Sequence, residues 1–227
     1  MKGTYHPSSS RCFVTIKPKL REIIAADFRD RIVHHLLVRH LEKDFEPVFI
    51  HNSFASRKGK GTHLGVKQLT RYMGKVTKNN KIPAYYMQLD IRNFFMEINR
   101  NILYLLIKKK CEINEMRWLA KVIIFNDPTS NVLITSPKER IRKVPEHKSL
   151  FGRDQNFGLP IGNLTSQFFA NVYLNQLDQY VKHKLKCRFY LRYVDDFILL
   201  DTDLKLLRQW QDKISKFLST RLQLSFN

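Results

Sequence analysis

Two runs rich in aromatic and branched residues, Arg188-Phe189-Tyr190-Leu191-Arg192 and Phe197-Ile198-Leu199-Leu200, flank the four residues Tyr193-Val194-Asp195-Asp196. So short a link between two β-prone segments leaves little room for anything but a tight hairpin. Two adjacent carboxylates on such a bend project into one small volume. They repel and raise each other's pKa unless a cation offsets them. Hard oxygen donors of this kind suit Mg²⁺ or Mn²⁺. On the hairpin alone, a solvated turn that uses Asp for local hydrogen bonds is the simpler reading.

A third acid changes the balance. Ala84-Tyr85-Tyr86-Met87-Gln88-Leu89-Asp90-Ile91 is a short apolar run ending in a carboxylate, followed by Asn93-Phe94-Phe95 and then a helical pattern. A strand there delivers Asp90 at its C-terminal end, where sheet-based sites gather polar groups. Taken singly, Asp90 reads as a helix-capping acid. If its strand lies beside the hairpin, three carboxylates converge. Such a set can hold two metal ions for in-line phosphoryl or nucleotidyl transfer.

The charge of the whole chain points to a polyanionic partner. With 40 Lys and Arg against 20 Asp and Glu, the formal net charge is +20, a balance suited to nucleic acid. Arg57-Lys58-Gly59-Lys60-Gly61, Lys108-Lys109-Lys110 and Lys138-Glu139-Arg140-Ile141-Arg142-Lys143 are candidate phosphate contacts that read no base sequence. Any one of them alone reads as a solvated face. Three cysteines without a CxxC spacing, Cys12, Cys111 and Cys187, predict reduced thiols in a reducing compartment. The eight histidines show no zinc-binding spacing. No apolar run approaches membrane-spanning length, and Met1-Lys2-Gly3-Thr4-Tyr5 lacks the apolar region of a signal peptide. A cytosolic protein with a true core is expected, since 43% of its 227 residues are hydrophobic.

Along the chain, a β-like stretch at Cys12 to Ile16 precedes helical spacing from Ala25 to Leu41. A basic, Gly-containing loop then opens toward a helix from Leu64 to Val76. Two amphipathic helices follow, Asn99 to Lys110 and Asn114 to Phe125. Between Asn126 and Phe157 the chain is Pro-rich and charged, with Val132-Leu133-Ile134 as its clear strand, so a hairpin or extended loop is predicted. Next comes Gly158-Leu159-Pro160-Ile161-Gly162-Asn163-Leu164-Thr165-Ser166-Gln167. Its glycines permit close backbone approach, and Asn163, Thr165 or Ser166 can cap the helix that follows, a junction that suits a phosphate or nucleotide. The same residues also serve an ordinary loop-to-helix junction. A helix over Asp203 to Thr220 and a strand over Leu222-Gln223-Leu224-Ser225-Phe226-Asn227 complete the map.

In this order the blocks resemble the fingers and palm of reverse transcriptases, most nearly those of diversity-generating retroelements and the retron-like group. The likeness runs from about residue 11 to the last residue. It also rests on Lys17-Pro18-Lys19-Leu20-Arg21-Glu22-Ile23, Phe28-Arg29-Asp30-Arg31, Ser56-Arg57-Lys58-Gly59-Lys60-Gly61-Thr62-His63 and His147-Lys148-Ser149-Leu150-Phe151. The resemblance implies an α+β fold: a palm built on a ferredoxin-like antiparallel sheet with helices on one face, preceded by fingers. It divides the chain into fingers over 1–83, palm over 84–125, a fingers insertion or hairpin over 126–157, and palm again over 158–227. The helical thumb that relatives carry after the palm is not represented.

The resemblance further implies RNA-directed DNA polymerase activity, with two Mg²⁺ ions, or Mn²⁺ in their place, on the catalytic acids Asp90, Asp195 and Asp196 and the Ile91 carbonyl as an extra ligand. Lys19, Arg21, Asn93, Phe94, Phe95, Ile161 and Gly162 would meet the incoming nucleotide, Phe95 as the bulky gate that clashes with a 2′-hydroxyl. Without the resemblance Phe95 reads as core. Arg57, Lys58, Lys60, Gly158, Leu159, Pro160, Ser166 and Tyr193 would lie along nucleic acid. The implied partners are an RNA template, a DNA or RNA primer, deoxynucleoside triphosphates and an accessory RNA-binding protein, in a bacterial or phage-encoded cytoplasmic enzyme without membrane contact. Retroviral and group II intron enzymes carry Gln where Ile161 stands, and an apolar side chain there is expected to loosen base selection. The alternatives are a retron or phage-defence polymerase, or a truncated, noncatalytic RNA-binding palm.

Overall fold

In a computed structural model the chain is described at every residue except Met1, Lys2 and Pro18, so the proline of the Lys17-to-Ile23 motif lies outside the described residues. In chain order the elements are β1 (Ser10–Thr15), β2 (Arg21–Ala25), α1 (Phe28–Phe45), α2 (Thr62–Val76), β3 (Tyr85–Leu89), α3 (Phe94–Glu97), α4 (Arg100–Lys110), α5 (Asn114–Phe125), β4 (Val132–Ile134), α6 (Lys138–Ile141), α7 (Leu164–Gln179), β5 (Phe189–Tyr193), β6 (Asp196–Asp201) and α8 (Leu204–Phe217). They gather into two compact units. The first holds Met1–Val48 and Asn93–Tyr173, the second Phe49–Arg92 and Leu174–Asn227. Among the described residues no helix is long and apolar enough to cross a membrane.

In the first unit, β1 buries Ser10, Cys12 and Val14 at alternate positions, as a half-buried strand must. It pairs antiparallel with β2, Cys12 opposite Ile24, and parallel with β4, Cys12 opposite Ile134. Strand β2 was not foreseen, although Arg21-Glu22-Ile23-Ile24 alternates. Of the hairpin or extended loop expected over 126–157, no local hairpin forms around β4: its three residues extend the β1 sheet instead. Helix α1 begins at Phe28 rather than Ala25 because the Asp27 side chain accepts the Arg29 amide at 3.0 Å. Its inner face carries His34, Leu37, Val38, Leu41 and Phe45. The Glu22 carboxylate is buried and answered from the 149–150 turn, accepting Ser149 Oγ at 2.6 Å and the Leu150 amide at 2.9 Å. Burial, with Glu22 adding to it, pushes the Cys12 thiol up to about 11.

The second unit is an antiparallel sheet in the order β3-β6-β5. Strand parity puts Tyr190 and Arg192 on one face, against Asp178 at the end of α7, while Leu191 and Leu200 on the other face cluster with Phe54, Tyr72 and Val76. Helix α8 packs along β6 and β3. It starts where Asp203 caps the Lys205 and Leu206 amides, and it buries Leu207, Trp210 and Ile214 at helical spacing. The strand predicted over 222–227 is corrected. Gln223 adopts a left-handed conformation at φ 53°, and a single bridge, Ile91 to Phe226, continues the sheet.

Candidate active site

Register determines what the second unit brings together. Leu89 lies opposite Phe197, and Tyr193 opposite Asp196, so the β5–β6 loop is two residues long and Asp90 emerges beside it. One carboxylate oxygen from each of Asp90, Asp195 and Asp196 lies within 4.8 Å of the others. Asp90 and Asp195 are half-buried and Asp196 is exposed. Each such pair of like charges costs about 1 kcal/mol even in water and several times more where water is excluded. The set therefore fits a hard divalent cation: oxygen donors only, converging from two separate segments. The neighbouring end of the chain also reaches Asp90, whose backbone oxygen accepts the Asn227 amide at 3.1 Å and whose side chain accepts from the Asn227 side-chain amide. Ile91 is buried, and its Arg92 neighbour donates to Ser225 O at 2.9 Å.

The bend itself is strained. Val194, a branched residue, sits at φ 56°, a conformation that costs an L residue about 1–2 kcal/mol. Arg192 Nη1 holds its carbonyl at 2.7 Å. The rest of that guanidinium grips Asp178, with Nε at 2.9 and 3.1 Å and Nη2 at 2.7 Å, and Tyr190 donates to the same carboxylate at 2.7 Å. Burial works hardest on Arg192 and favours its neutral form, but the Asp178 charge and hydrogen bonds, together with Tyr190 and Asp195, outweigh it, and the guanidinium ends above its ordinary pKa. Burial, reinforced by Asp178, pushes the Tyr190 hydroxyl well up. This trio escaped the sequence reading. Its signal was an arginine at an inward strand position and an aspartate in an apolar helix.

Of the other expected residues of this unit, Arg57, Lys60 and Tyr193 have local partners. Arg57 donates to Ile50 O at 2.7 Å and Ser53 O at 3.0 Å and lies over the Phe49 ring, so it organises its own loop. Lys60 donates to His51 O at 3.0 Å and lies over Phe54, whereas Lys58 is exposed. Tyr193 is exposed, and its hydroxyl accepts from Thr62 at 3.1 Å.

In the first unit, Phe95 and Ile161 pack on the same cluster of Cys12, Ile24, Met96 and Leu150. The glycine turn is pinned by its backbone: Leu159 N donates to Phe95 O at 2.8 Å, Gly158 N to Ile98 O at 2.9 Å, and Ile24 N to Ile161 O at 2.9 Å. Gly158 at φ 86° and Gly162 at φ 123° leave no room for a side chain, since a Cβ would meet Leu150 at 2.6 Å and Ile23 at 2.8 Å. Asn163 secures the turn, donating to Ile24 O at 3.2 Å and accepting the Ala26 amide at 2.9 Å. Asn93 takes the left-handed conformation before α3, and Phe94 is buried behind it. Lys19 and Arg21 are exposed. Leu159, Phe94 and Ser166 are each about 2% exposed, and of the Leu159–Pro160 pair it is Pro160 that keeps partial exposure.

Strand, two-residue hairpin and converging acids together make a palm-like sheet with an acidic edge. The family profile described as "Reverse transcriptase (RNA-dependent DNA polymerase)" matches residues 12–227, and the chain belongs to that family. It is 26% identical over 190 residues to the group II intron-encoded protein LtrA of Lactococcus lactis subsp. cremoris, a match covering 82% of this chain and 27% of that protein. Among solved structures it resembles apo telomerase from Candida tropicalis (TM-score 0.62, 14% identity), covering all of this chain and 44% of the other. It likewise resembles telomerase of the same species bound to a fragment of telomeric RNA (TM-score 0.60, 16% identity), covering 98% of this chain and 40% of the other. At these identities the structural likeness shows the fold. The chain spans about a quarter of the curated relative and under half of the telomerase chains.

Proposed function

We propose that this chain carries the catalytic centre of an RNA-directed DNA polymerase, adding deoxynucleotides to a primer 3′-hydroxyl on an RNA template. The observation that carries it is the convergence of Asp90, Asp195 and Asp196 within 4.8 Å in a chain of this family. Divalent ions held there, Mg²⁺ or Mn²⁺, supply the charge that favours the ionised primer hydroxyl and the leaving pyrophosphate. Asp90 and Asp195 anchor them from two segments, with Asp196 as the third donor and the Ile91 carbonyl as a further one.

Phe95 is the residue we assign to sugar selection, and Ile161 with Gly162 to the surface beneath the nascent pair. Exposed Lys19 and Arg21 are suited to triphosphate oxygens, and Lys58 and Tyr193 to the nucleic-acid backbone and its bases. A net charge of +20 supports a polyanionic template and primer. Ile161 in place of glutamine favours a diversity-generating retroelement enzyme over a faithful copier. A telomerase relative bound to telomeric RNA supports an RNA template here.

Primer extension on an RNA template, run beside Asp195→Asn, tests this. The parent incorporates deoxynucleotides and the variant does not; equal product from both ends the polymerase reading.

A further inference from the structure

The buried arginine directly behind the active hairpin has more hydrogen-bonding capacity than its ion pair uses. Arg192 is fully buried, and Nε and Nη2 already satisfy Asp178. A buried ion pair contributes little net stability over an apolar pair of similar shape. Its third edge, Nη1, points along the strand to the Val194 carbonyl at 2.7 Å. That carbonyl belongs to the peptide plane whose nitrogen is Asp195. Fixing the plane fixes ψ of Val194 and φ of Asp195, and with them the direction in which the Asp195 side chain leaves the backbone.

The anchorage of Arg192 is itself rigid. Its amide donates to Asn52 O at 2.9 Å, its carbonyl accepts the Phe54 amide at 3.0 Å, and its Asp178 partner also holds the Tyr190 hydroxyl. The geometry points to Arg192 as a positioning residue: through Val194 O it holds a strained turn in the one arrangement that aims Asp195 at the other two acids. Asp178 and Tyr190 orient the guanidinium for this task. The inference rests on the polymerase reading and deepens it.

Lysine at 192 keeps a charge for Asp178 but cannot serve both the carboxylate and the carbonyl, because it lacks the planar fork. The test is Mn²⁺ affinity of the protein without nucleotide, from loss of the free-ion electron paramagnetic resonance signal, with circular dichroism to confirm folding. Removing a group that orients a metal ligand weakens affinity by about 10–100-fold, and that loss is expected for Arg192→Lys. Val194→Gly in the same chain should restore part of it, since glycine accepts φ 56° without help. Arg192→Gln serves if the lysine variant does not fold.

A purely structural arginine would lower the melting temperature and leave the affinity of the folded protein unchanged, which overturns the inference. So does a double variant that stays at the affinity of Arg192→Lys. Absence of Mn²⁺ binding by the parent overturns the polymerase reading and this inference together.

Discussion

His34 lies on the buried face of α1 with Nδ1 lacking a hydrogen-bond partner, and it lines a small cavity with Asp30 and Asn163. Burial depresses its pKa from 6.5 to about 4; Asp30 pulls the other way and His35 adds to the depression. A folded-state pKa below the unfolded one means that the unfolded chain binds the extra proton first. Stability from neutral His34 is thus fully present above pH 7 and is lost as the pH falls from 6.5 toward 4. From those two values the loss reaches about 2 kcal/mol at pH 5 and about 3 kcal/mol at pH 4. At this chain length each kcal/mol is worth about 2–4 °C of melting temperature. Urea unfolding of parent and His34→Leu at about pH 7.5 and about pH 5 isolates the effect from the carboxylates, which titrate in both proteins. The stability difference between the two should shift by about 2 kcal/mol toward the variant at the lower pH. A difference that is the same at both pH values refutes a buried, neutral histidine.

Other perturbations test separate parts of the account. Gly162→Ala forces an L residue to φ 123° with its Cβ 2.8 Å from Ile23, and chemical denaturation should show a loss of about 2–3 kcal/mol; a change below about 0.5 kcal/mol contradicts a turn this tightly closed. Phe95→Ala should raise ribonucleotide incorporation relative to deoxynucleotide in competition assays, and an unchanged sugar preference removes Phe95 as the gate. Ile161→Gln should lower misincorporation opposite template adenine, which sequencing of products measures directly; the same error rate ends the fidelity argument.

What could be read in the chain follows from how local each signal is. The hairpin and the Asp90 strand are spelled out by β-prone runs next to carboxylates, so the site acids were legible before any coordinates. Helices α4 and α5 were legible from their own periodicity, with Asn99 capping the first of them at Ile102 N. By contrast, β4 gains its meaning from β1, more than a hundred residues earlier. Three residues carry no record of a parallel partner. The Asp178–Arg192 pair is likewise a tertiary fact. Each partner is ordinary in its own segment, and their relation exists only once strand parity and the helix end face each other. Arg57 shows the reverse case: a basic cluster read as a phosphate contact spends one of its charges on the carbonyls of its own loop.

The central claim is that Asp90, Asp195 and Asp196 hold divalent ions for nucleotidyl transfer. Crystals grown with Mn²⁺ and a deoxynucleoside triphosphate, measured at the manganese edge, test it most directly. Anomalous peaks among these three carboxylates are the predicted result; manganese bound elsewhere, with this trio left empty, contradicts the account.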